Sequence, residues 1–542
     1  MKRNTSIVAV SCLFAIMVFS CGGNIPEEEK TGGGQRTEIP QEEQTSEEQP
    51  PEDQPQVPTV PKVSLSVDYR ADWDTLRVLS NPHKGWYHHY YSNGLWNYGL
   101  TPEEDGLLKS FPGMDHIYLR LAWSYFEKKE GVYDWSLIDD IVNKYVPMGY
   151  GISLRITCHE TGGYPGAVGQ NVGGRNYATP YWVRQAGAKG TDILKGDNTA
   201  KCWCPDYGDP VFLEKLENFH KALAARYDGK PWLRYVDVGS MGDWGEGHTS
   251  FSINQMIPDE VVKKHFDIYG RCYKKTPVVA MENSMSYMRE KEPNWGPTHS
   301  DSIEGLICYA YDKGFGLRCD SYLVDWYIKI GAAKWAIMRP YMYEKFYRDR
   351  LIVHESEHYD HVIEAGNWIG PEGEGYVAKA GCSGRELFIN SMILTHPTYI
   401  GYHGHLKKWL SENPGLASYL ANKCGYWLIP VSAELHDDAI TVKWFNNGVA
   451  PCLHEYALRL HFYNTLGEDT IVEIPESGNM AWMPGATTQK TYSFRYPENL
   501  IGEKVRMYME LYDHDTERTI DVGLRSEKLF RNCIPVGEFE LK

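Results

Sequence analysis

Past residue 62 the chain alternates short apolar runs with amphipathic stretches, a rhythm of strand followed by helix. The apolar runs at Lys84–Tyr90, His116–Trp123, Gly151–Cys158, Leu233–Ser240, Pro277–Met281, Leu306–Tyr311, Leu351–Val353 and Thr398–Tyr402 are predicted strands. Between them the pattern predicts helices over Ser136–Tyr145, Pro210–Tyr227, Asp259–Tyr273 and Tyr322–Ala336. Eight strands in such alternation predict a (β/α)8 TIM barrel over residues 63–424, with its chemistry at the C-terminal ends of the strands. The longest insertion, His159–Asp209, follows the third strand and is rich in glycine and aromatic residues. From about Gly425 the pattern changes to apolar–polar alternation at Ala439–Phe445, Tyr456–Tyr463, Thr491–Arg495 and Val505–Tyr512, with turns such as Asn446-Asn447-Gly448. No helix-length pattern intervenes, so residues 425–542 are expected to form an all-β sandwich.

The first 62 residues read differently. Lys2 and Arg3 precede an apolar run from Ile7 to Phe19, the length of a secretory signal core and too short to span a membrane. The run ends Val18-Phe19-Ser20-Cys21, which resembles the lipobox of bacterial lipoproteins and implies removal of residues 1–20 and lipid attachment at Cys21. Glu27, Glu28 and Glu29 look like the acidic tag of lipoproteins exported to the outer face of a Gram-negative outer membrane. Residues 21–62 are almost devoid of apolar side chains, so this segment is read as a disordered acidic tether.

Among the 542 residues, 72 acidic side chains face 55 basic ones, a formal charge of −17. Residues 22–62 hold ten of those acids against three bases, so the folded part is only mildly acidic. That balance argues against a nucleic-acid partner, whose phosphates need clustered Lys and Arg. Ten cysteines follow Cys21 without a CxxC pair; Cys202 and Cys204 flank one Trp. No zinc site is expected from them, and no cofactor is predicted. Aromatic residues make up 13%, with 17 Trp and 38 Tyr, a surplus that either fills cores or makes flat platforms for ligands.

The fourth strand runs into Met241-Gly242-Asp243-Trp244-Gly245-Glu246-Gly247-His248. A carboxylate there, beside Trp and framed by Gly, is placed where a barrel enzyme builds a general acid. The seventh strand runs into His354-Glu355-Ser356-Glu357-His358, which puts Glu355 across the mouth from Glu246. Two such carboxylates suit glycoside hydrolysis, with their separation deciding between retention and inversion. Supporting roles are expected for Arg120 and Arg155, which would keep the nucleophile ionised, and for Tyr311, with Tyr309 as its substitute, donating to Glu355. Trp86, Trp123, Trp182, Trp244 and Tyr402 are candidate sugar platforms, each with a core role as its alternative. Glu160, Glu282, Asp312 and Asp320 are rival carboxylates, and Glu160 also a candidate substrate contact. His354-Glu355-Ser356-Glu357-His358 also matches H-E-x-x-H, a zinc-protease motif when it lies on a helix. The β-branched run before it reads as strand, which opposes that assignment.

The strand-end glutamates resemble the clan A glycoside hydrolases, the superfamily of many β-galactosidases and β-mannanases. Leu119-Arg120-Leu121-Ala122-Trp123-Ser124 and Glu130-Gly131-Val132-Tyr133-Asp134-Trp135 are similar to the second-strand region of the β-galactosidase branch. Asn81-Pro82-His83-Lys84-Gly85-Trp86, Trp244-Gly245-Glu246 and Trp444-Phe445-Asn446-Asn447-Gly448-Val449-Ala450-Pro451 resemble a little-characterised bacterial family that joins such a barrel to a C-terminal sandwich. The resemblance implies an exported glycosidase with Glu246 as acid/base and Glu355 as nucleophile, acting on an oligo- or polysaccharide. Its alternative is a non-catalytic surface glycan-binding protein. Most clan A enzymes carry Asn directly before the acid/base Glu, to bind the sugar 2-hydroxyl. Gly245 stands there in this chain, so either Asn283 or His248 holds that hydroxyl or the carboxylate pair is not of the standard kind.

Overall fold

The computed structural model describes residues 61–91, 94–95, 105–161, 166–193, 201–285, 301–323, 343 and 345–542. Cys21, with the predicted signal segment and nearly all of the tether, lies outside the described residues, as does the side chain of Asn283.

Eight parallel strands close into a barrel. We number them β1 (Gly85–His89), β2 (Met114–Ala122), β3 (Gly151–Thr157), β4 (Leu233–Asp237), β5 (Val278–Met281), β6 (Gly316–Tyr322), β7 (Ile352–His358) and β8 (Tyr399–His403). Each pairs with the next and β8 returns to β1, so no edge is left open. Strands β1, β3, β4 and β8 are buried along their whole length, the consequence of a sheet covered on both faces. Ser136–Tyr145, Pro210–Tyr227 and Asp259–Cys272 form helices as their 3.6-residue period predicts. Asp209 caps the second of these by accepting from the Phe212 N–H, with Pro210 in the first turn.

The sixth strand corrects the sequence reading. Leu306–Tyr311 lies inside a helix, Asp301–Asp312, whose Leu306, Ile307 and Ala310 are buried at helical spacing. The true strand, Gly316–Tyr322, carries Arg318 and Asp320, and those charges conceal it from a search for apolar runs. Tyr322 ends this strand instead of opening a helix, and 324–336 lie outside the described residues. The insertion after β3 forms its own small sheet from Gln170–Val172, Arg175–Tyr177, Lys201–Pro205 and Gly190–Ile193. All described cysteines, Cys202 and Cys204 among them, are free thiols.

The sandwich contains one sheet of Ser64–Asp68, Leu428–His436, Ala439–Asn446 and Thr487–Ser493. The other comprises Asp469–Ile474, Ala457–Tyr463, Lys504–Asp513 and Arg518–Thr519, with Ile534–Glu540 also on Lys504–Asp513. Ala439–Asn446 alternates buried and half-buried positions as predicted, and Trp444 stacks on Trp482 in the shared core at 5.1 Å. Ser64–Asp68 pairs with Leu428–His436 along its full length, so this segment belongs to the sandwich and not to the barrel where the sequence reading placed it.

Two motifs singled out above act at this junction. Asn81 exchanges hydrogen bonds with the backbone of Asp521, His83 meets Asp513 Oδ2 at 3.1 Å, and the Lys84 ammonium donates to the carbonyls of Asn422 and Tyr426. Gly85 follows with φ +96°, and a Cβ there would sit 2.6 Å from the Gly113 carbonyl oxygen. Asn446, inside the sandwich next to the junction, is the second hub. Its Oδ1 accepts from the N–H groups of Trp427 and Gly448, and its Nδ2 donates to the carbonyls of Ala450 and Trp482.

Asn446 is fully buried with every side-chain hydrogen-bonding direction used. Asn446→Ala is expected to cost about 3 kcal/mol or more, since it strands several buried backbone groups at once. Urea unfolding followed by tryptophan fluorescence measures this, and a change within about 0.5 kcal/mol of wild type would contradict the role.

Candidate active site

The two-residue period of a strand sends alternate side chains into the barrel. Toward its base these are Tyr87, Tyr118, Tyr235, Val279, Val353 and Tyr399, a mainly aromatic plug. One step higher they are charged: Arg120 on β2, Arg155 on β3, Asp237 on β4, Arg318 and Asp320 on β6, and Glu355 on β7. His89 on β1 and His403 on β8 complete the ring.

Two fully buried guanidinium groups hold the carboxylates together. Arg155 reaches Asp237 Oδ2 at 3.1 Å, Asp320 Oδ2 at 2.7 Å and Glu246 Oε1 at 3.3 Å. Arg318 approaches the other Asp320 oxygen at 2.7 Å, lies 3.4 Å from Asp237 and donates through Nη2 to Glu355 Oε2. Tyr118 donates to Asp237 at 2.5 Å, while the Arg318 guanidinium lies over the Tyr118 ring at 4.4 Å. Charges this deep persist only when mutually paired.

Glu355 is therefore a defined electrostatic object. Burial raises its pKa, but the charge of Arg318, with those of Arg155 and Arg120 behind it, outweighs that and holds it below the ordinary glutamate range. The donation expected from Tyr311 comes instead from Arg318, with the Tyr87 hydroxyl at 3.4 Å. Tyr311 and Tyr309 sit on the helix outside the barrel, where they donate to Asp349 and Asp267.

Glu246 sits higher, in the loop after β4, with about 15% of its side chain exposed. Arg155 and Arg120 approach Oε1 at 3.3 and 3.5 Å, and His248 Nε2 lies 3.3 Å from Oε2. His248 Nδ1 in turn lies 3.7 Å from Asp243. The loop explains why Gly245 replaces an asparagine. Its φ is +75°, and a Cβ would sit 2.5 Å from the Gly239 carbonyl oxygen, so no side chain fits. His248 thus takes the position beside Glu246.

Trp244 adopts φ +55° in this loop, an unusual conformation for a bulky residue. Its half-buried ring lies 5.1 Å from the exposed ring of Phe251 and 6.0 Å from His248. The other platform candidates do not reach the mouth. Trp86 and Tyr402 face outward from β1 and β8 into the layer between barrel and helices, packed on Phe111 and Trp409. Trp123 is fully buried against Phe219 and donates to Glu127, and Trp182 leans on Trp123 while donating to the Glu127 carbonyl. Their outward facing follows from strand parity, which places Trp86 and Tyr402 opposite to Tyr87 and His403.

Of the rival carboxylates, Asp320 belongs to the charged ring. Glu160 is buried and accepts from Thr157 at 2.7 Å; burial, against the opposing charge of Arg120, raises its pKa. Glu282 accepts from Tyr343. Glu357, which the sequence offered only as part of H-E-x-x-H, is half-buried, and burial together with the Glu246 charge raises its pKa although bonds from His358 and His361 pull the other way.

That motif forms no helix. All five residues lie on β7, where His354 stacks on Tyr322 at 4.3 Å and His358 on His403 at 3.5 Å, so the two imidazoles pack against different partners instead of sharing one helix face. A different set comes closer to metal geometry: His89 Nδ1 and His403 Nδ1 lie 3.6 and 3.3 Å from Glu355 Oε1. Burial keeps both rings neutral, the form that ligates, but the trio offers a single carboxylate, and Arg318 already engages it through Oε2. The arrangement suits a carboxylate that is ionised at neutral pH and flanked by neutral donors.

Replacing Arg318 by Met leaves Glu355, Asp237 and Asp320 short of a partner and is expected to cost about 3–5 kcal/mol at pH 7. In the wild type the Glu355 contribution is present above its unfolded value of about 4.3 and is lost as pH falls through its lower folded value. In Arg318→Met that carboxyl loses its main counter-charge and burial raises it, so acidification relieves the variant. The stability gap measured by urea unfolding should narrow between pH 7 and pH 4, and a gap that widens would contradict the assignment.

No protein family and no curated protein matches the chain. Among solved structures, the catalytic domain of β-amylase from Paenibacillus polymyxa is similar at 12% identity and TM-score 0.42, covering 64% of this chain and 99% of that one. Endo-glycoceramidase II from Rhodococcus sp. in a cellobiose-like isofagomine complex is similar at 11% identity and TM-score 0.39, covering 78% and 99%. A β-galactosidase from Halorubrum lacusprofundi is similar at 11% identity and TM-score 0.35, covering 62% and 57%. Likeness at this level assigns neither substrate nor residue role.

Proposed function

We propose that the chain is a retaining glycoside hydrolase, anchored through Cys21 to the surface of a Gram-negative bacterium, where it cleaves an oligo- or polysaccharide. The observation that carries this reading is a division of labour between two carboxylates joined through Arg155, Asp320 and Arg318. Glu355 is buried and held ionised, as a nucleophile requires. Glu246 stands at the partly open mouth beside His248 and the Trp244–Phe251 pair, whose rings offer an apolar face to a sugar.

In the first step Glu246 gives its proton to the leaving-group oxygen while a Glu355 oxygen bonds to the anomeric carbon and the glycosidic bond breaks. In the second, Glu246 takes a proton from water, the hydroxide attacks the same carbon, and Glu355 leaves as carboxylate. His248, on the far oxygen of Glu246, is placed to exchange that proton with Asp243 behind it. Arg120 and Arg155, touching Glu246 and biasing Glu355, balance the negative charge that alternates between the pair.

The same contacts favour a second reading, since two guanidinium groups and an imidazole already engage Glu246 in a barrel that would then bind glycans without turnover.

Hydrolysis of a panel of aryl glycosides and polysaccharides tests both. Glu246→Gln should lose about 10²–10⁴-fold in rate, and Glu355→Gln should lose at least as much. Loss in Glu160→Gln or Glu357→Gln with Glu246→Gln intact would move the acid role to that residue. Glycan binding by calorimetry without any turnover would establish the silent barrel. Proton NMR of the fresh product should show the substrate's anomeric configuration, and the opposite anomer would replace retention by inversion.

A further inference from the structure

The outer face of the second sandwich sheet carries a cluster that the barrel chemistry does not use. Strand alternation puts Leu458, Leu460 and Phe462 into the core and turns Arg459, His461 and Tyr463 outward. On the neighbouring strand Tyr508, Glu510 and Tyr512 share that face, with His461 opposite Tyr508 and Glu510 on the diagonal. A two-residue hairpin folds over them: Phe530 and Cys533 exchange backbone hydrogen bonds, and Arg531 and Asn532 between them take φ of 52° and 67°. Phe530 stacks on Tyr508 at 4.8 Å and meets Tyr463 at 5.2 Å, and this contact presses Cys533 down onto the sheet.

His461, Glu510 and Cys533 are buried, and each offers a ligand atom within 4.8 Å of the other two. His461 Nε2 lies 3.1 Å from Glu510 Oε1, and Cys533 Sγ lies 3.9 Å from Glu510 Oε2. Around tetrahedral zinc, bonds of 2.0–2.3 Å separate neighbouring ligand atoms by about 3.3–3.8 Å. A second layer of contacts is already built. Asp469 Oδ2 lies 2.9 Å from His461 Nδ1, the arrangement that aims a zinc-binding imidazole, and Thr519 donates to Glu510 Oε2 at 2.6 Å. Arg459 lies 3.9 Å from Glu510 but is drawn toward Glu473 at 2.6 Å and onto the Tyr512 ring.

We infer that His461, Glu510 and Cys533 supply three of the four ligands for a soft divalent cation, zinc above all, with water as the fourth, and that the ion fastens the 530–533 hairpin to the sheet. A thiolate, an imidazole and one carboxylate select zinc over calcium or magnesium, and two anionic ligands neutralise its charge. Binding releases the Cys533 thiol proton and any proton on His461 Nε2 to solvent. The competing occupant is a proton alone: an imidazolium shared among Asp469, Glu510 and Cys533.

The test uses the full chain, stripped with chelator and then dialysed against zinc or cobalt. Cobalt should produce a thiolate-to-metal charge-transfer band that Cys533→Ser and His461→Gln abolish and His89→Ala retains. In the folded wild type, zinc should slow alkylation of Cys533 at least about tenfold, read by peptide mass spectrometry. A band that survives Cys533→Ser, or alkylation of Cys533 at the same rate with and without zinc, would overturn the site and leave the shared imidazolium. Neither readout involves hydrolysis, so the outcome is separate from the fate of the glycosidase proposal.

Discussion

The barrel is organised around two guanidinium groups in its interior. Arg155 and Arg318 hold Asp237, Asp320, Glu246 and Glu355 in one hydrogen-bonded lattice, drawn from β3, β4, β6 and β7 and from the loop after β4. Each ion is expensive to bury alone, and the lattice is tolerable only as a whole. It fixes the relative positions of strands that are otherwise joined only to their neighbours. It also sets the character of the mouth, because it holds Glu355 below the ordinary glutamate range while burial raises Glu160 and Glu357 nearby.

The same constraint explains what was legible in the sequence. Strands with apolar outward faces, such as Ile152, Leu154 and Ile156 on β3, announce themselves, and the eightfold rhythm follows from them. β6 stayed hidden because a strand that spends Arg318 and Asp320 on the lattice looks polar, while the helix before it supplied the apolar run that a strand should have. Glu246 and Glu355 could be found from their position at strand ends. Arg318, His89, His403 and Asp237 could not, since their significance depends on which strands become neighbours once the barrel closes. The aromatic residues misled in a regular way. Trp86 and Tyr402 are one residue out of phase with the interior, and a period of two turns that single step into the opposite side of the sheet.

The phrases that looked most distinctive divide by purpose. Asn81-Pro82-His83-Lys84-Gly85-Trp86 and the segment around Asn446 secure the junction of barrel and sandwich, with Asn81, His83, Lys84 and Asn446 each saturating buried backbone or charge. Only Trp244-Gly245-Glu246 belongs to the mouth, where Gly245 is demanded by the Gly239 carbonyl in its path. A distinctive phrase in a sequence therefore reports the assembly of two layers as readily as it reports chemistry.

Ser64–Asp68 deserves to be seen as a matter of chain order. Its hydrogen-bonding partner, Leu428–His436, is made some 360 residues later, after every strand of the barrel has emerged. The barrel is thus an insertion within the sandwich, and its formation is what brings the two segments together across a loop whose closure would otherwise be costly in entropy. No single cut separates the two bodies intact, and a chain truncated after the barrel would leave Ser64–Asp68 as an unpaired strand open to association with other chains.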